Sequence, residues 1–444
     1  MSNNALSGHF GFRRLYAFVV PAIVMQVFMS LYDIVDGLFV SNFVSITAFS
    51  ALNLIWPLIA ILGSIGYMIG AGGSALAAKL LGEGRIRDAH ELFSFLVVVS
   101  IVGGIVVAGV GLLLVRPVAS ALGASGELLD LAVLYGSILV AGLPCFILQS
   151  AFESLFAAAG KPKAGLAFIV AAGITNFALD ALFIIVFGWG LAGAALATVL
   201  GQTVGGVLPL IYFRCSKTAL LKLVRPRMQF NKLGTICLNG SSELVGVASM
   251  SIVSMLYNLQ LMRYIGANGV AAYGIITYLA LVIAAVYFGY TMGVAPLISY
   301  QHGAQDEPEL KNLFKKSVIT VFVLGAVLTA LAHLLSNPIA DLFVSGNAQV
   351  KELTMQGFML YNWAFLVMGF NLFASALFTA LGNGKVSALI SFMRTLVFEV
   401  GAVLVLPQFL GTSGIWLSMV VSEVVAFCFS LFFVLFLRKD YGYL

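Results

Sequence analysis

The chain has 444 residues, 61% of them hydrophobic and 9% charged, where a soluble domain carries roughly 25% charged residues. That shortfall excludes an ordinary water-soluble fold, because most side chains must face lipid or other helices. The net charge of +5 is scattered over short loops, which excludes a nucleic-acid footprint.

Apolar windows of about 20 or more residues predict membrane-spanning helices. In chain order they fall at 15–42, 51–79, 92–115, 128–158, 164–187, 191–213, 233–263, 270–300, 312–335, 350–381, 386–407 and 412–437. Arg13 and Arg14 precede the first window, and no small-residue cleavage site follows it, so it reads as a retained span. Pro21, Pro57, Pro144, Pro209 and Pro296 lie inside spans, where they permit kinks. Cys145, Cys215, Cys237 and Cys428 have no metal-ligand spacing and read as free thiols.

Loop charge sets the expected orientation. Of the 23 Lys and Arg, nineteen fall on the side of the termini, from Arg13 to Lys439. Arg116, Arg263 and Lys351 fall on the other side, and Arg394 lies within a span. Both termini are therefore expected to be cytoplasmic, in a multi-pass protein of the cell (inner) membrane. One missed helix would scramble the later loops, so the charge split also supports the number of spans.

The longest basic loop, 214–232, falls at the middle and reads as a linker between residues 1–213 and 233–444. The two stretches repeat. Gly66-Tyr67 matches Gly289-Tyr290, Leu92-Phe93 matches Leu313-Phe314, Pro117 matches Pro338, Gly160 matches Gly382, Lys163 matches Lys385 and Gly193 matches Gly414. The offset stays between 221 and 223, which chance does not sustain over five helices. Six spans per half means that each copy enters from the same face. The expected fold class is an all-α integral membrane protein whose twelve transmembrane helices form two parallel six-helix repeats, with a site between or within them.

Seven acids lie within spans: Asp33, Asp36, Glu153, Asp180, Glu243, Glu399 and Glu423. An acid at such depth is costly unless it is neutralised, paired or bound to a cation, and marks an ion or substrate path. Asn176 and Asp180 are four apart, on one face of the fifth helix. Asp36 and Asp180 each lie roughly 9–10 Å below the outer end of their helices, at the depth of Thr198 on the sixth. Two carboxylates, an amide and a hydroxyl from three helices make a hard oxygen set, suited to a proton or Na⁺ and to no soft metal. A purely structural hydrogen-bond network is the alternative. In the second half Asp36 corresponds to Asn258 and Asp180 to Ala402 or a neighbour, so the ion chemistry belongs to the first half.

Other polar groups carry open readings. Glu243, opposite Pro21 in the repeat, either meets a cationic substrate or pairs within its lobe. Glu399 and Glu423 are expected to pair with Arg394. Glu153 is expected near the inner surface with Lys161 or Lys163. Asp33, one turn from Asp36, either joins the cluster or faces the cavity. Met292, among other methionines, is a candidate for an adaptable cavity wall, and Asn258 is a further candidate for the substrate cavity. No phosphate loop, Ser-His-Asp set or metal motif is present.

The segments L-Y-D-I-V-D at 31–36, G-Y-M-I-G-A-G-G at 66–73, G-K-P-K at 160–163, N-F-A-L-D at 176–180 and G-L-A-G-A-A-L-A-T at 190–198 occur in an order that resembles the multidrug and toxic compound extrusion (MATE) family, in its bacterial branches with paired acids. The resemblance covers nearly the whole chain. It implies an antiporter that exports small organic, cationic substrates by alternating access in exchange for H⁺ or Na⁺, as a monomer among membrane lipids, with no cofactor. Carried over by position, Asp36, Asn176, Asp180 and Thr198 match the family's cation site. Pro21 matches its bending point on the first helix, and Tyr135 resembles a cavity residue. Asp33 departs from the pattern, where a neutral residue is commoner. A lipid-linked glycan flippase of the same superfamily is the runner-up; the mostly acidic intramembrane charge argues against it.

Overall fold

The computed structural model describes residues 5–343 and 348–444, except for the side chains of Asp33 and Leu38. Regular structure among them is entirely helical. Eleven continuous helices among the described residues are long and apolar enough to cross a membrane. In the first half they are α1 (Phe12–Phe43), α2 (Ile46–Gly82), α3 (Ile86–Ala121), α5 (Pro162–Val186) and α6 (Gly190–Cys215). In the second they are α7 (Phe230–Tyr264), α8 (Ala267–Gly303), α9 (Glu307–Phe343), α10 (Ala348–Ala380), α11 (Gly384–Leu410) and α12 (Thr412–Phe436). The remaining span, α4, is a pair, Gly126–Ala141 and Leu143–Ala158, bent by 56°. Pro144 stands in the first turn of its second segment, where a missing N–H removes no helical bond. The predicted span 128–158 is thus present but broken at Gly142.

Several helices outrun their apolar windows. The window at 51–79 becomes α2 from Ile46, capped by the Ser45 hydroxyl, which accepts from Ala48 N at 3.0 Å. Hydrophobicity marks only the part that lipid can cover; the backbone goes on satisfying itself beyond it. All four cysteines are free thiols.

The halves pack as the repeat requires. α1 lies along α8, α7 lies along α2, and α2 crosses α8. Under the half-chain offset the first two contacts are the same contact. A Cβ on Gly240 would strike the Met68 carbonyl, and one on Gly72 the Ile236 carbonyl, so the halves meet backbone to backbone. Turns repeat as well. Gly160 and Gly382 end equivalent helices at φ of 69° and 80°, a region open to glycine. The next residue in each, Lys161 or Asn383, donates its N–H back to Phe156 O or Phe378 O, at 2.9 and 2.7 Å.

Each half is strapped to the segment that enters the other. The stretch before α1 docks on α9: Phe10 N donates to Glu309 Oε1 at 2.8 Å, and Asn312 donates to Phe10 O at 3.1 Å. The connection before α7 docks on α3: Val224 N donates to Ser94 Oγ at 2.8 Å, and His90 meets Leu220 O at 3.0 Å. The helix-free connection covers 216–229, slightly inside the expected linker.

One expectation about ion pairing needs correction. Arg394 binds Glu423, with Nε to Oε1 at 2.9 Å, and Asn371 donates to Glu423 Oε2 at 2.6 Å. Glu399 forms neither an ion pair nor a hydrogen bond among the described residues. Residues Met393–Glu399 are wound as a π-turn, which alters the facing of Arg394 and Glu399 relative to a regular helix. Breaking a buried ion pair leaves an uncompensated charge. Glu423→Ala is therefore expected to cost about 3–5 kcal/mol in unfolding measurements in detergent, while the paired replacement Arg394→Met with Glu423→Leu recovers most of that loss.

Candidate ion site

α5 is the element that assembles the site. Its face carries Gly173, Asn176 and Asp180, spaced by three and four. A Cβ on Gly173 would run into the Phe28 ring of α1 at 2.5 Å. On the other side, a Cβ on Gly201 of α6 would lie 2.9 Å from Asn176 Cβ and 3.0 Å from Ala172 O. The two glycines let α1 and α6 close on α5, and the polar side chains one or two turns along are brought together.

The contacts are direct. The Asp36 and Asp180 carboxyl groups, from α1 and α5, lie within hydrogen-bonding reach of each other. One buried oxygen of each, Oδ1, has no hydrogen-bond partner. Neither makes an ion pair with a Lys, Arg or His among the described residues. Asn176 Nδ2 donates to Thr198 Oγ1 at 3.3 Å, and the Thr198 hydroxyl donates in turn to Ala194 O at 3.0 Å. Asn176 and Asp180 are 1% exposed, Thr198 5%. Immediately after Asp180 the helix widens into a π-turn, Ala181–Val186, a distortion common beside functional sites. The arrangement offers several oxygens and, among the described residues, no fixed cation, which is what a proton or a small hard cation requires.

Asp36 and Thr198 open onto a cavity of about 170 Å³ walled mainly by the first half, with Val247 of α7 closing one side. Gln149, Gln202, Trp56 and Tyr67 also line it, and span prediction alone marks none of them as a cavity residue. The repeat does carry a usable signal. The repeat partners of Gln149 and Gln202 are Asn371 and Glu423, the polar cluster of the second half. Polar residues at matched intramembrane positions in both copies mark facing interiors.

The other candidates scatter. Asp33 lies on α1, but its side chain is outside the described residues. Tyr135 is 1% exposed and packed in an apolar cluster with Ile55, Val115 and Leu139, away from the cavity wall. Asn258 is exposed and lines neither cavity; its neighbour Tyr257 takes the inward position. Pro21 sits inside α1, which continues unbroken from Phe12 to Phe43. Glu153 is not a surface partner of Lys161 or Lys163. It is 2% exposed, and Gln26 of α1 donates to its Oε2 at 2.8 Å. Glu243 and Met292 line a second, smaller space of about 50 Å³ between the halves.

The sequence model of the MatE family matches residues 21–182 and 244–404. The multidrug export protein MepA of Staphylococcus haemolyticus is 26% identical over 429 residues, covering 96% of this chain and 94% of that protein. The MepA of Staphylococcus aureus is 24% identical over 440 residues, with the same coverage. Among solved structures, a MATE protein in complex with MaL6 superposes with a TM-score of 0.91 at 22% identity, over 98% of both chains. The outward-facing conformation of a multidrug resistance MATE family transporter of the MOP superfamily gives 0.91 at 21%, again over 98% of both.

Thr198→Val keeps the side-chain volume and removes the acceptor for the Asn176 amide. It is expected to lower stability by about 1–3 kcal/mol, and Thr198→Ser, which keeps the oxygen, to stay near wild type in the same thermal unfolding assay.

Proposed function

The chain belongs to the MatE family, a family of transporters and not of enzymes, and from that premise we propose that it exports small organic cations in exchange for H⁺ or Na⁺ by alternating access. Full-length similarity to multidrug export proteins supports the substrate class. One observation carries the coupling: two carboxyl groups from α1 and α5 face each other inside the first half with no fixed counter-charge among the described residues.

Each half acts as a lobe, residues 1–213 and 233–444, joined by the basic connection. A proton or Na⁺ entering from outside neutralises the Asp36–Asp180 pair. A cationic substrate held by the same negative charge is then released, because one site cannot hold both positive charges at low cost. The neutralised lobe can pass through the low-dielectric intermediate; the ionised one cannot cheaply do so. On the other side the ion leaves and the pair attracts substrate again. Asn176 and Thr198 orient the ligand set, and Pro21 is the point at which α1 can bend between states. A potential of 100 mV supplies about 2.3 kcal/mol per charge, roughly a fifty-fold gradient.

The cavity of about 170 Å³ holds ions and water but falls short of the roughly 300–1,000 Å³ of drug-sized pockets. Substrate binding therefore requires the lobes to part further. The nineteen-to-three split of basic residues supports a plasma-membrane protein with both termini in the cytoplasm.

Asp180→Asn is expected to abolish gradient-driven efflux of a fluorescent cation from proteoliposomes while the protein remains folded. The pH and Na⁺ gradients are to be dissipated separately in the wild type to identify the coupling ion. Undiminished efflux by the Asn variant would refute the assignment.

A further inference from the structure

The space between the halves lies one helical turn closer to the termini than the ion cavity. On α4, Gln149 lines the cavity and Ser154 the smaller chamber; on α7, Val247 lines the cavity and Glu243 the chamber. Tyr67 lines both, so it is their shared wall. The chamber is therefore the next space an ion would meet on leaving the Asp36–Asp180 pair toward the terminal side.

Its wall is mainly apolar, with Ala71, Phe288, Met292, Ala295 and Ala376, but five oxygen-bearing side chains besides Tyr67 stand in it. Ser74 and Ser154 come from the first half, Thr291, Thr379 and the Glu243 carboxylate from the second. Ser74 donates to Ala71 O at 3.1 Å and Thr291 to Phe288 O at 2.9 Å, while Thr379 Oγ1 bonds Asn239 O at 3.3 Å and Ser387 Oγ at 2.7 Å. With the Ser74 and Thr291 protons committed to their own helices, their lone pairs remain for a cation, and Thr379 keeps at most one. Glu243 is half-buried, faces the chamber, and makes no hydrogen bond or ion pair among the described residues. A second carboxylate stands beside the chamber. Gln26 Nε2 holds Glu153 at 2.8 Å and the chamber-lining Met292 Sδ at 3.6 Å.

Size decides what fits. About 50 Å³ holds a few water molecules at ~10–15 Å³ each, far below a drug-sized pocket of roughly 300 Å³ or more. We propose that Glu243 and these four hydroxyls form a second station for the coupling ion, a monovalent hard cation, either Na⁺ or a hydrated proton. Tyr67 partitions the station from the acid pair. Since its ligands come from both halves, the station is complete only while the halves are closed. Beneath it the halves are shut by backbone packing of Gly82 on Tyr300 and Gly303 on Lys79. Parting them there dismantles the ligand set and releases the ion to the terminal side. Ion release is thereby tied to the opening that admits substrate.

The inference rests on ion-coupled export by the acid pair, and its test separates the two. Purified protein in liposomes is assayed for ethidium efflux driven by a pH gradient and, separately, by a Na⁺ gradient. Glu243→Gln is expected to slow efflux under the gradient the wild type uses by roughly tenfold, with Glu243→Asp partly restoring it and ethidium affinity changed by no more than about twofold. Thr291→Val, which removes one oxygen at constant volume, is expected to act in the same direction, and it serves if Glu243→Gln fails to fold. Wild-type efflux in both variants overturns the station, as does a loss of ethidium affinity in proportion to the loss of efflux. Normal efflux in Asp180→Asn beside defective Glu243→Gln removes the acid-pair reading and leaves the station. The reverse result removes the station and leaves the pair.

Discussion

Two carboxyl groups facing each other inside an apolar helix bundle are the constraint on which the rest of this structure turns. With both ionised, two such groups at about 4 Å and an effective dielectric near 20 would repel by roughly 4 kcal/mol. A chain holds such a pair only where other forces fix the helices that carry it. Here those forces are the close approaches of α5 to α1 and α6 at Gly173 and Gly201, and the Asn176–Thr198 bond beside the pair. A positive charge arriving between the acids relieves the repulsion. In the coupling proposed above, the site is tense when empty and relaxed when filled, a difference that a transporter can convert into motion.

The architecture gives the difference something to act on. The halves touch mainly through α1 on α8 and α7 on α2, and Asp36 lies on α1. A change at the pair is therefore felt in a helix that already belongs to the interface. Gln26, on the same helix, binds Glu153 of its own half and Met292 of the other. The straps on α9 and α3 tie the entering segments to opposite halves through side-chain to backbone bonds.

The halves share a fold and differ in charge. Where the first half places Gln149 and Gln202 against its cavity, the second places Asn371 and Glu423, neutralised by Arg394. A buried pair of this kind contributes little net stability but defines which side chains face inward. One copy of the repeat is thus kept as scaffold for charge, and the other presents acids without counter-ions.

Much of this is legible in the sequence because lipid imposes simple rules. Apolar windows mark the spans, loop charge sets their parity, and a constant offset reveals the repeat. The i, i+4 spacing alone puts Asn176 and Asp180 on one face of their helix. None of that says which helices are neighbours. That Asp36 meets Asp180, that Glu153 turns inward to Gln26 while Asn258 turns out, and that Glu423 and not Glu399 takes Arg394 are decided by tertiary packing. The physical reason is that periodicity fixes a residue's angle on its own helix, whereas a partner depends on glycine-sized close approaches, a bend at Gly142 and π-turns after Asp180 and at Met393–Glu399. Each of those shifts every later side chain on its helix, and they arise from contacts with helices distant in the chain.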